Sequence, residues 1–222
     1  MRLALFDLDH TLIPLDSDHA WGEFTVELGW REAESFSQAN DRFYAAYQAG
    51  ALDIHEYVRF ATGAVREHGR AQAAQAHERF MQQVICPAMT EAARHLVRTH
   101  QDAGDQVVIV TATNEFVTRP IARAFGVDEL IAIELQTDER GEPTGEIRGV
   151  PSFREGKVAR VEQWLAARGL DWSLVQHSTF YSDSMNDLPL LEKVHEPVAT
   201  NPDARLRAVA LERGWRILNL FE

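Results

Sequence analysis

The sequence has little of what several classes of protein require. It contains one cysteine, Cys86, in 222 residues, so no intrachain disulfide can form and no cysteine-rich zinc site can be built. Positive charge is also scarce, since 22 Lys and Arg against 34 Asp and Glu leave a formal net charge of -12. Nucleic acids and anionic membranes bind basic surfaces. We therefore expect neither of them as a partner.

Long apolar runs and a secretion signal are also missing. No apolar stretch approaches the roughly 20 residues that a membrane-spanning helix needs. The N-terminal apolar run ends at Asp7, which is too early for a signal peptide. Together with the single cysteine, these features favour a cytoplasmic protein. The nine histidines include no pair at a spacing typical of zinc ligands.

Short apolar segments alternate with amphipathic helical patterns over most of the chain. The segments are rich in Val, Ile and Leu, as expected for parallel strands that are covered on both faces. They span residues 3–6, 106–110, 130–135, 178–181 and 197–199. This alternation predicts a doubly wound α/β fold with a mostly parallel, Rossmann-like sheet. Residues 134–150, with turn-forming Gly and Pro, predict a small hairpin.

The interval between the first two predicted strands breaks this alternation. Residues 17–85 show helical patterns only. An insert at this position lies above the strand ends, where open α/β sheets bind ligands. We therefore expect an all-helical cap subdomain over residues 17–85 and an α/β core formed by residues 1–16 and 86–222. The alternative is an insert that only adds stability.

Polar side chains stand where several predicted strands end or helices begin. They are Asp7, Asp9, Thr111, Lys157, Asp183 and Asp187. Asp7 and Asp9 are two residues apart in an extended segment, so their side chains point to the same side. Each position also has an ordinary explanation, such as helix capping by Thr111 or an exposed surface position for Lys157. The whole ordered set is much harder to explain by coincidence.

This ordered set resembles the four signature motifs of the haloacid dehalogenase superfamily of phosphohydrolases. Residues 7–11, DLDHT, are similar to the first motif, Thr111 to the second, Lys157 to the third and residues 183–187, DSMND, to the fourth. The resemblance covers nearly the whole core. The position and helical content of the insert resemble the cap class that includes phosphoserine phosphatases. Residues 199–215 are also similar to that branch.

The acidic residues of these motifs predict a metal site. Two like charges about 4 Å apart repel by roughly 4 kcal/mol at an effective dielectric constant near 20, and a divalent cation removes that repulsion. Oxygen ligands without His or Cys favour magnesium over zinc. The resemblance implies that Mg²⁺ is bound by the carboxylates of Asp7 and Asp183 and by the backbone carbonyl of Asp9. Asp187 is expected to support this metal shell.

The resemblance also implies catalytic roles. Asp7 is expected to be the nucleophile, forming an aspartyl-phosphate, and Asp9 the general acid and base. Thr111 would bind the phosphoryl group, and Lys157 would bind it and neutralise its charge. His10 is better suited to an orienting or structural role than to direct catalysis. The chain is thus predicted to be a magnesium-dependent phosphatase that acts on a small phosphorylated metabolite.

The substrate is less constrained by the sequence. Asp16 occupies the place where phosphoserine phosphatases carry a Glu that recognises the substrate amine, although Asp16 can equally cap a helix. Arg42 and Arg59 are candidates for the arginine that holds a substrate carboxylate in those enzymes. Residues 111–113, Thr-Ala-Thr, depart from the family's Ser-Gly-Gly. Phosphoserine is the leading substrate, and histidinol phosphate or another small metabolite phosphate is the alternative.

Two readings from other classes of protein remain. A receiver-like phospho-acceptor signalling module also uses Asp, Thr and Lys around magnesium. In receivers, however, the phosphorylated Asp follows the third strand and no helical insert interrupts the core. A non-catalytic binder of small molecules would have no need for all four motifs. Because Asp7 follows the first strand and all four motifs are present, the enzyme is favoured.

Overall fold

The computed structural model describes residues 1–221. The strands are β1 (Arg2–Phe6), β2 (Gln106–Asn114), β3 (Leu130–Ile133), β4 (Leu135–Thr137), β5 (Pro143–Ile147), β6 (His177–Ser182), β7 (Glu196–Thr200) and β8 (Arg216–Leu218). The α-helices are α1 (Ser17–Glu27), α2 (Ala33–Gln48), α3 (Ile54–Ala61), α4 (Gly63–His68), α5 (Arg70–Phe80), α6 (Cys86–Ala88), α7 (Glu91–Asp102), α8 (Glu115–Ala124), α9 (Glu155–Ala166), α10 (Leu188–Leu191) and α11 (Ala204–Arg213).

Six strands form one parallel sheet in the order β3-β2-β1-β6-β7-β8. The predicted α/β fold with a Rossmann-like sheet is confirmed, and β8 adds an edge strand that the sequence did not predict. β1 lies between β2 and β6, so the order of the strands reverses there. In open α/β sheets, ligands bind outside the carboxyl ends of the strands at this switch point. The residues that follow β1 are therefore placed at the expected site.

The sheet is covered by helices on both faces. Ala4 and Phe6 of β1 contribute to one apolar cluster with α1, α5, α7 and α8. Leu3 and Leu5 contribute to a second cluster with α9, α10 and α11. Alternate residues of one strand thus enter opposite layers. The buried side chains of Leu3, Leu5 and Phe6 each contribute about 1.5–3 kcal/mol, and together they hold β1 in place.

Seven α-helices, α1 to α7, lie between β1 and β2, and residues 17–85, which contain α1 to α5, are called the helical insert below. The helical pattern that begins at Ile54 continues to Val65 in the sequence, but the structure divides this segment into α3 and α4. The Thr62 hydroxyl donates to the Val58 carbonyl at 2.6 Å at the end of α3. A Cβ atom on Gly63 would lie 2.4 Å from Nη2 of Arg31. The helix is therefore divided where a guanidinium packs against bare backbone.

Core side chains hold the carboxyl end of α2. Asn186 Nδ2 donates to the Tyr47 carbonyl at 3.0 Å, and Arg205 Nη2 donates to the Gln48 carbonyl at 2.5 Å. Arg154 donates to the Gly50 carbonyl just beyond the helix. Carbonyls at a helix end have no partner within the helix, and positive charge is favourable there. These bonds join the helical insert to loops at the carboxyl edge of the sheet.

The helical insert also packs on the predicted hairpin, which the structure forms from β4 and β5. Phe43, Leu52 and Val58 of the insert share an apolar cluster with Ile133 and Leu135.

None of the helices within residues 1–221 combines the length and the hydropathy that a bilayer crossing requires.

Candidate active site

Asp7 directly follows β1, and its side chain is buried, with 5% exposed. Its backbone N–H donates to the Tyr181 carbonyl of β6 at 2.9 Å, which fixes its position on the sheet. Lys157, from α9, lies with Nζ 2.8 Å from Asp7 Oδ1 and 2.7 Å from Asp187 Oδ2. This lysine is 0% exposed. The surface position that the sequence allowed for Lys157 is therefore wrong, and its ammonium lies between two carboxylates.

The charges of this cluster depend on one another. Burial alone would lower the pKa of Lys157, but the negative charges of Asp187 and Asp7 outweigh it and raise that pKa. Burial raises the pKa of Asp187 to about 6, and Lys157 opposes the shift. The Ser182 hydroxyl also donates to Asp187 Oδ2, at 2.7 Å. Asp187 thus contacts the lysine directly.

Asp7 and Asp183 face each other across one hydroxyl group. Thr11 Oγ1 lies 3.3 Å from Asp7 Oδ2 and 3.3 Å from Asp183 Oδ1. The same oxygen accepts a hydrogen bond from the Asp183 N–H at 3.1 Å. Burial, followed by the charges of Asp7 and Asp187, raises the pKa of Asp183 well above its usual value. Two carboxylate oxygens from separate strands therefore converge on one small volume.

The donors at this point suit a hard divalent cation. They are carboxylate oxygens, and within residues 1–221 no lysine or arginine contacts Asp183. Among the same residues, no three His, Cys, Asp or Glu side chains form a ready-made metal site. Magnesium usually keeps several waters and takes only one or two protein carboxylates. A site with two converging carboxylates fits that ion better than it fits zinc.

Asp9 is held by one donor from the helical insert and one from the core. Its Oδ1 accepts from the backbone N–H of Ser17 at 2.8 Å, and its Oδ2 accepts from the Thr113 hydroxyl at 2.8 Å. Burial, followed by the charge of Asp16, raises the pKa of Asp9 to about 6. A carboxyl group with a pKa near neutrality can both give and take a proton.

Two further acids lie at the start of α1. Asp16 Oδ1 accepts from the N–H groups of Asp18 and His19 at 3.0 and 2.8 Å, so Asp16 caps this helix. Asp16 also lines the cavity described next. Asp18 is buried, and Asn114 Nδ2 donates to its Oδ1 at 3.1 Å. Burial, then the charges of Asp16 and Asp9, raise the pKa of Asp18 to about 8.

A cavity separates the helical insert from the strand ends. Its walls carry acids, histidines, tyrosines and a few other residues: Asp7, Asp9, His10, Asp16, His19, Asn40, Phe43, Tyr44, Tyr47, Leu52, Ile54, Tyr57, Thr111, Ala112, Thr113 and Asp183. Its volume is about 30 Å³, which is room for water but not for a metabolite. In this conformation the site is therefore closed to a substrate.

Neither candidate arginine lies in this cavity. Arg42 is exposed and lies over the ring of Phe43, with 5.2 Å between its guanidinium carbon and the ring centroid. Arg59 is exposed and pairs with Glu146 of the hairpin at 3.5 Å. Within residues 1–221, no arginine or lysine lines the cavity. The prediction that Arg42 or Arg59 holds a substrate carboxylate therefore has no support in the structure.

His10 connects the catalytic loop to the helical insert. Its Nε2 lies 3.0 Å from the Tyr44 hydroxyl of α2. Its backbone is in the left-handed region, with φ 55°, and its carbonyl accepts from Asn201 Nδ2 at 2.9 Å. A non-glycine residue in that region is held there by its surroundings. These contacts agree with the orienting role that the sequence favoured for His10.

Comparisons with known proteins show which family this chain belongs to. The family model of the haloacid dehalogenase-like hydrolases matches residues 4–192. The chain belongs to this family. A histidinol-phosphatase of Neisseria meningitidis is 43% identical over 218 residues, covering 98% of both chains. A phosphoserine phosphatase of Mycobacterium tuberculosis is 31% identical, over 96% of this chain and 69% of its own length.

A solved structure shares the complete haloacid dehalogenase-like fold of this chain. It is a crystal structure of a Bordetella pertussis protein of unknown function, with 49% identity, a TM-score of 0.94 and coverage of 99% of both chains. As the motifs predicted, the chain is an enzyme, a phosphatase of the haloacid dehalogenase type. The receiver-like alternative is thereby excluded.

Several residues at this site had no role assigned from the sequence. Thr11 and Asp18 are buried polar residues whose partners come from distant parts of the chain. Thr113 was noted only as a departure from the family pattern, and Tyr44 only as part of the insert. For Thr113 a signal existed, because it lies two residues after Thr111 and so shares its side of the strand.

Proposed function

We propose that this phosphatase hydrolyses small alkyl phosphate monoesters through an aspartyl-phosphate on Asp7. The contact between Lys157 and Asp7 supports this proposal most directly, because it places positive charge next to the oxygen that would attack phosphorus. Phosphoryl transfer depends chiefly on positioning and on neutralisation of charge. Lys157 would neutralise the transferring group, and the Thr111 hydroxyl would donate a hydrogen bond to it.

Asp9 would complete the reaction as general acid and base. It would give a proton to the leaving alkoxide as the P–O bond breaks, and later take one from the water that hydrolyses the aspartyl-phosphate. Asp187 would keep Lys157 in place through the contact at 2.7 Å. The two hydrogen bonds that Asp9 accepts would keep its carboxyl group aimed at the cavity.

Magnesium is the cofactor that the donor set fits. The carboxylates of Asp7 and Asp183 and the backbone carbonyl of Asp9 would hold it, with Asp187 supporting that group through Lys157. When bound, the ion would neutralise the negative charge of the two carboxylates and of the phosphoryl group.

The walls of the cavity favour a substrate with a cationic part and no carboxylate. The cavity presents four acids, Asp7, Asp9, Asp16 and Asp183, and no arginine or lysine from residues 1–221 faces it. An ammonium or imidazolium group would be attracted there, whereas a carboxylate would meet like charge without a partner. Tyrosine side chains can pack against an aromatic ring. We therefore favour histidinol phosphate over phosphoserine, which agrees with the name of the Neisseria relative.

Three phosphate esters test this specificity. Phosphoserine and phosphoethanolamine differ only by the carboxylate, and histidinol phosphate adds an imidazole without adding a carboxylate. We expect kcat/KM with magnesium to be highest for histidinol phosphate, and higher for phosphoethanolamine than for phosphoserine. A preference for phosphoserine over phosphoethanolamine would contradict the assigned specificity.

Asp16→Asn separates recognition of the amine from capping of α1. Asparagine caps helices as well as aspartate does, so the variant should keep its fold but lose negative charge in the cavity. We expect kcat/KM for histidinol phosphate to fall about tenfold or more, as for the loss of one charge-assisted hydrogen bond. Hydrolysis of p-nitrophenyl phosphate, which has no amine, should stay within about twofold. Equal losses on both substrates would show that Asp16 only caps the helix.

We further propose that the helical insert, residues 17–85, acts as a cap over a core of residues 1–16 and 86–222. The small volume of the cavity supports this division, because substrate entry requires the two parts to separate. A cytoplasmic location and a partner set limited to small phosphorylated metabolites stay predictions from the single cysteine and the acidic charge.

A further inference from the structure

We propose that Thr113 is a positioning residue that makes Oδ2 of Asp9 the oxygen that transfers the proton to the leaving group. The proposal rests on the phosphatase chemistry of Asp7 and Asp9 given above. It is carried by the two different hydrogen bonds of the Asp9 carboxyl group.

The two donors to Asp9 differ in kind. A backbone N–H, here that of Ser17, can only donate, so Oδ1 is held as an acceptor while this bond is present. A hydroxyl group can both donate and accept. The Thr113 hydroxyl can therefore donate to Oδ2 when Asp9 is a carboxylate and accept from it when Asp9 is an acid. Only Oδ2 can carry the proton without facing a fixed donor.

Neighbouring contacts hold Thr113 in this position. Its side chain is 6% exposed, and its N–H donates to Thr111 Oγ1 at 3.1 Å. The next residue, Asn114, caps α8 by accepting from the N–H groups of Phe116 and Val117. The hydroxyl therefore stands on a rigid strand end, and both Thr113 and Asp9 line the cavity.

Oδ2 of Asp9 gives its proton to the leaving oxygen in the first step and takes one from water in the second. As the P–O bond to the leaving group breaks, the Oδ2–H bond breaks and its proton forms an O–H bond on the leaving oxygen. Asp9 is left as a carboxylate, and the Thr113 hydroxyl then donates to Oδ2. In the second step Oδ2 takes a proton from the attacking water, which restores the acid.

A comparison of leaving groups tests Thr113, because a good leaving group needs little protonation. Thr113→Val keeps the shape of the side chain and removes the hydroxyl. General acid catalysis contributes about 10²–10⁴-fold to the rate. In Thr113→Val we therefore expect kcat/KM for phenyl phosphate to fall roughly tenfold or more. The value for p-nitrophenyl phosphate should fall less than about threefold. Thr113→Ser should recover most of the loss on phenyl phosphate. Equal losses on the two esters, or no loss on phenyl phosphate, would overturn the proposal.

Two controls exclude a purely structural effect. Thr25→Val makes the same change at a buried threonine whose hydroxyl only donates within α1, and it should leave the ratio of the two esters unchanged. In an Asp9→Asn background, Thr113→Val should change kcat/KM by less than about twofold, because residues that act through one another are not additive. A further large loss there would overturn the role of Thr113. If the parent enzyme hydrolyses neither these aryl esters nor histidinol phosphate, the chemistry assigned to Asp7 and Asp9 fails, and the role of Thr113 fails with it.

Discussion

Asp18→Asn should make the protein more stable above neutral pH. The Asp18 side chain is buried between the helical insert and the core, where burial and the charges of Asp16 and Asp9 raise its pKa from 3.8 to about 8. Between these pH values the folded protein keeps a proton that the unfolded chain has lost. The free energy of unfolding therefore falls as pH rises. The amide of the variant carries no such proton and can keep the contact with Asn114.

The size of this effect follows from the same pKa. One proton contributes about 1.4 kcal/mol per pH unit. Across the range from 3.8 to about 8, the parent should lose on the order of 5 kcal/mol that the variant does not lose. Asp187 also has a raised pKa, but both proteins contain it, so its effect cancels in the difference. The charge of Asp9 is part of the effect itself, because it contributes to the raised pKa of Asp18.

Urea unfolding of parent and variant, at pH 4 to 9 in the presence of a chelator, measures this difference directly. We expect the gain in unfolding free energy of Asp18→Asn over the parent to grow with pH and to level off above about pH 8. A difference that stays constant over this range would show that Asp18 is ionised in the folded protein. The account of its burial would then be wrong.

Two further predictions concern the charged cluster. Lys157→Met should lower the free energy of unfolding by about 3–5 kcal/mol, because it leaves the buried carboxylates of Asp7 and Asp187 without their cation. Urea unfolding measures this loss. A loss under about 1 kcal/mol would show that the ion pairs of Lys157 behave as exposed ones. Asp183→Asn should raise the magnesium concentration needed for half-maximal activity at least tenfold, as expected for the loss of about 1.4 kcal/mol of binding, and an unchanged magnesium titration would exclude Asp183 as a ligand.

The positions of the ordered motifs could be predicted from the sequence because the predicted strands are parallel and each motif follows the end of a strand or begins a helix. The carboxyl ends of parallel strands meet at one edge, so Asp7, Thr111 and Asp183 had to lie close together once the strands were assigned. Lys157 could be associated with them only through the family resemblance. Its burial depends on how α9 packs against the sheet, which no local pattern encodes.

Contacts between distant segments could not be predicted in the same way. The bond from Thr113 to Asp9 joins residues 104 positions apart, and that from Asn114 to Asp18 joins residues 96 positions apart. The first depends on how the loop after β1 lies against the end of β2, and the second on how α1 lies against the end of β2. The break between α3 and α4 has a similar origin, because the guanidinium that packs at Gly63 comes from the loop before α2.

The chemical identity of the phosphorylated intermediate tests the central claim most directly. The enzyme is mixed with magnesium and p-nitrophenyl phosphate, quenched, and treated with borohydride, which reduces an aspartyl-phosphate to homoserine. We predict homoserine at position 7 by peptide mass spectrometry, and none in Asp7→Asn, which should keep its fold and lose activity. Homoserine at position 183 or 187, or continued turnover by Asp7→Asn, would contradict the assignment of the nucleophile.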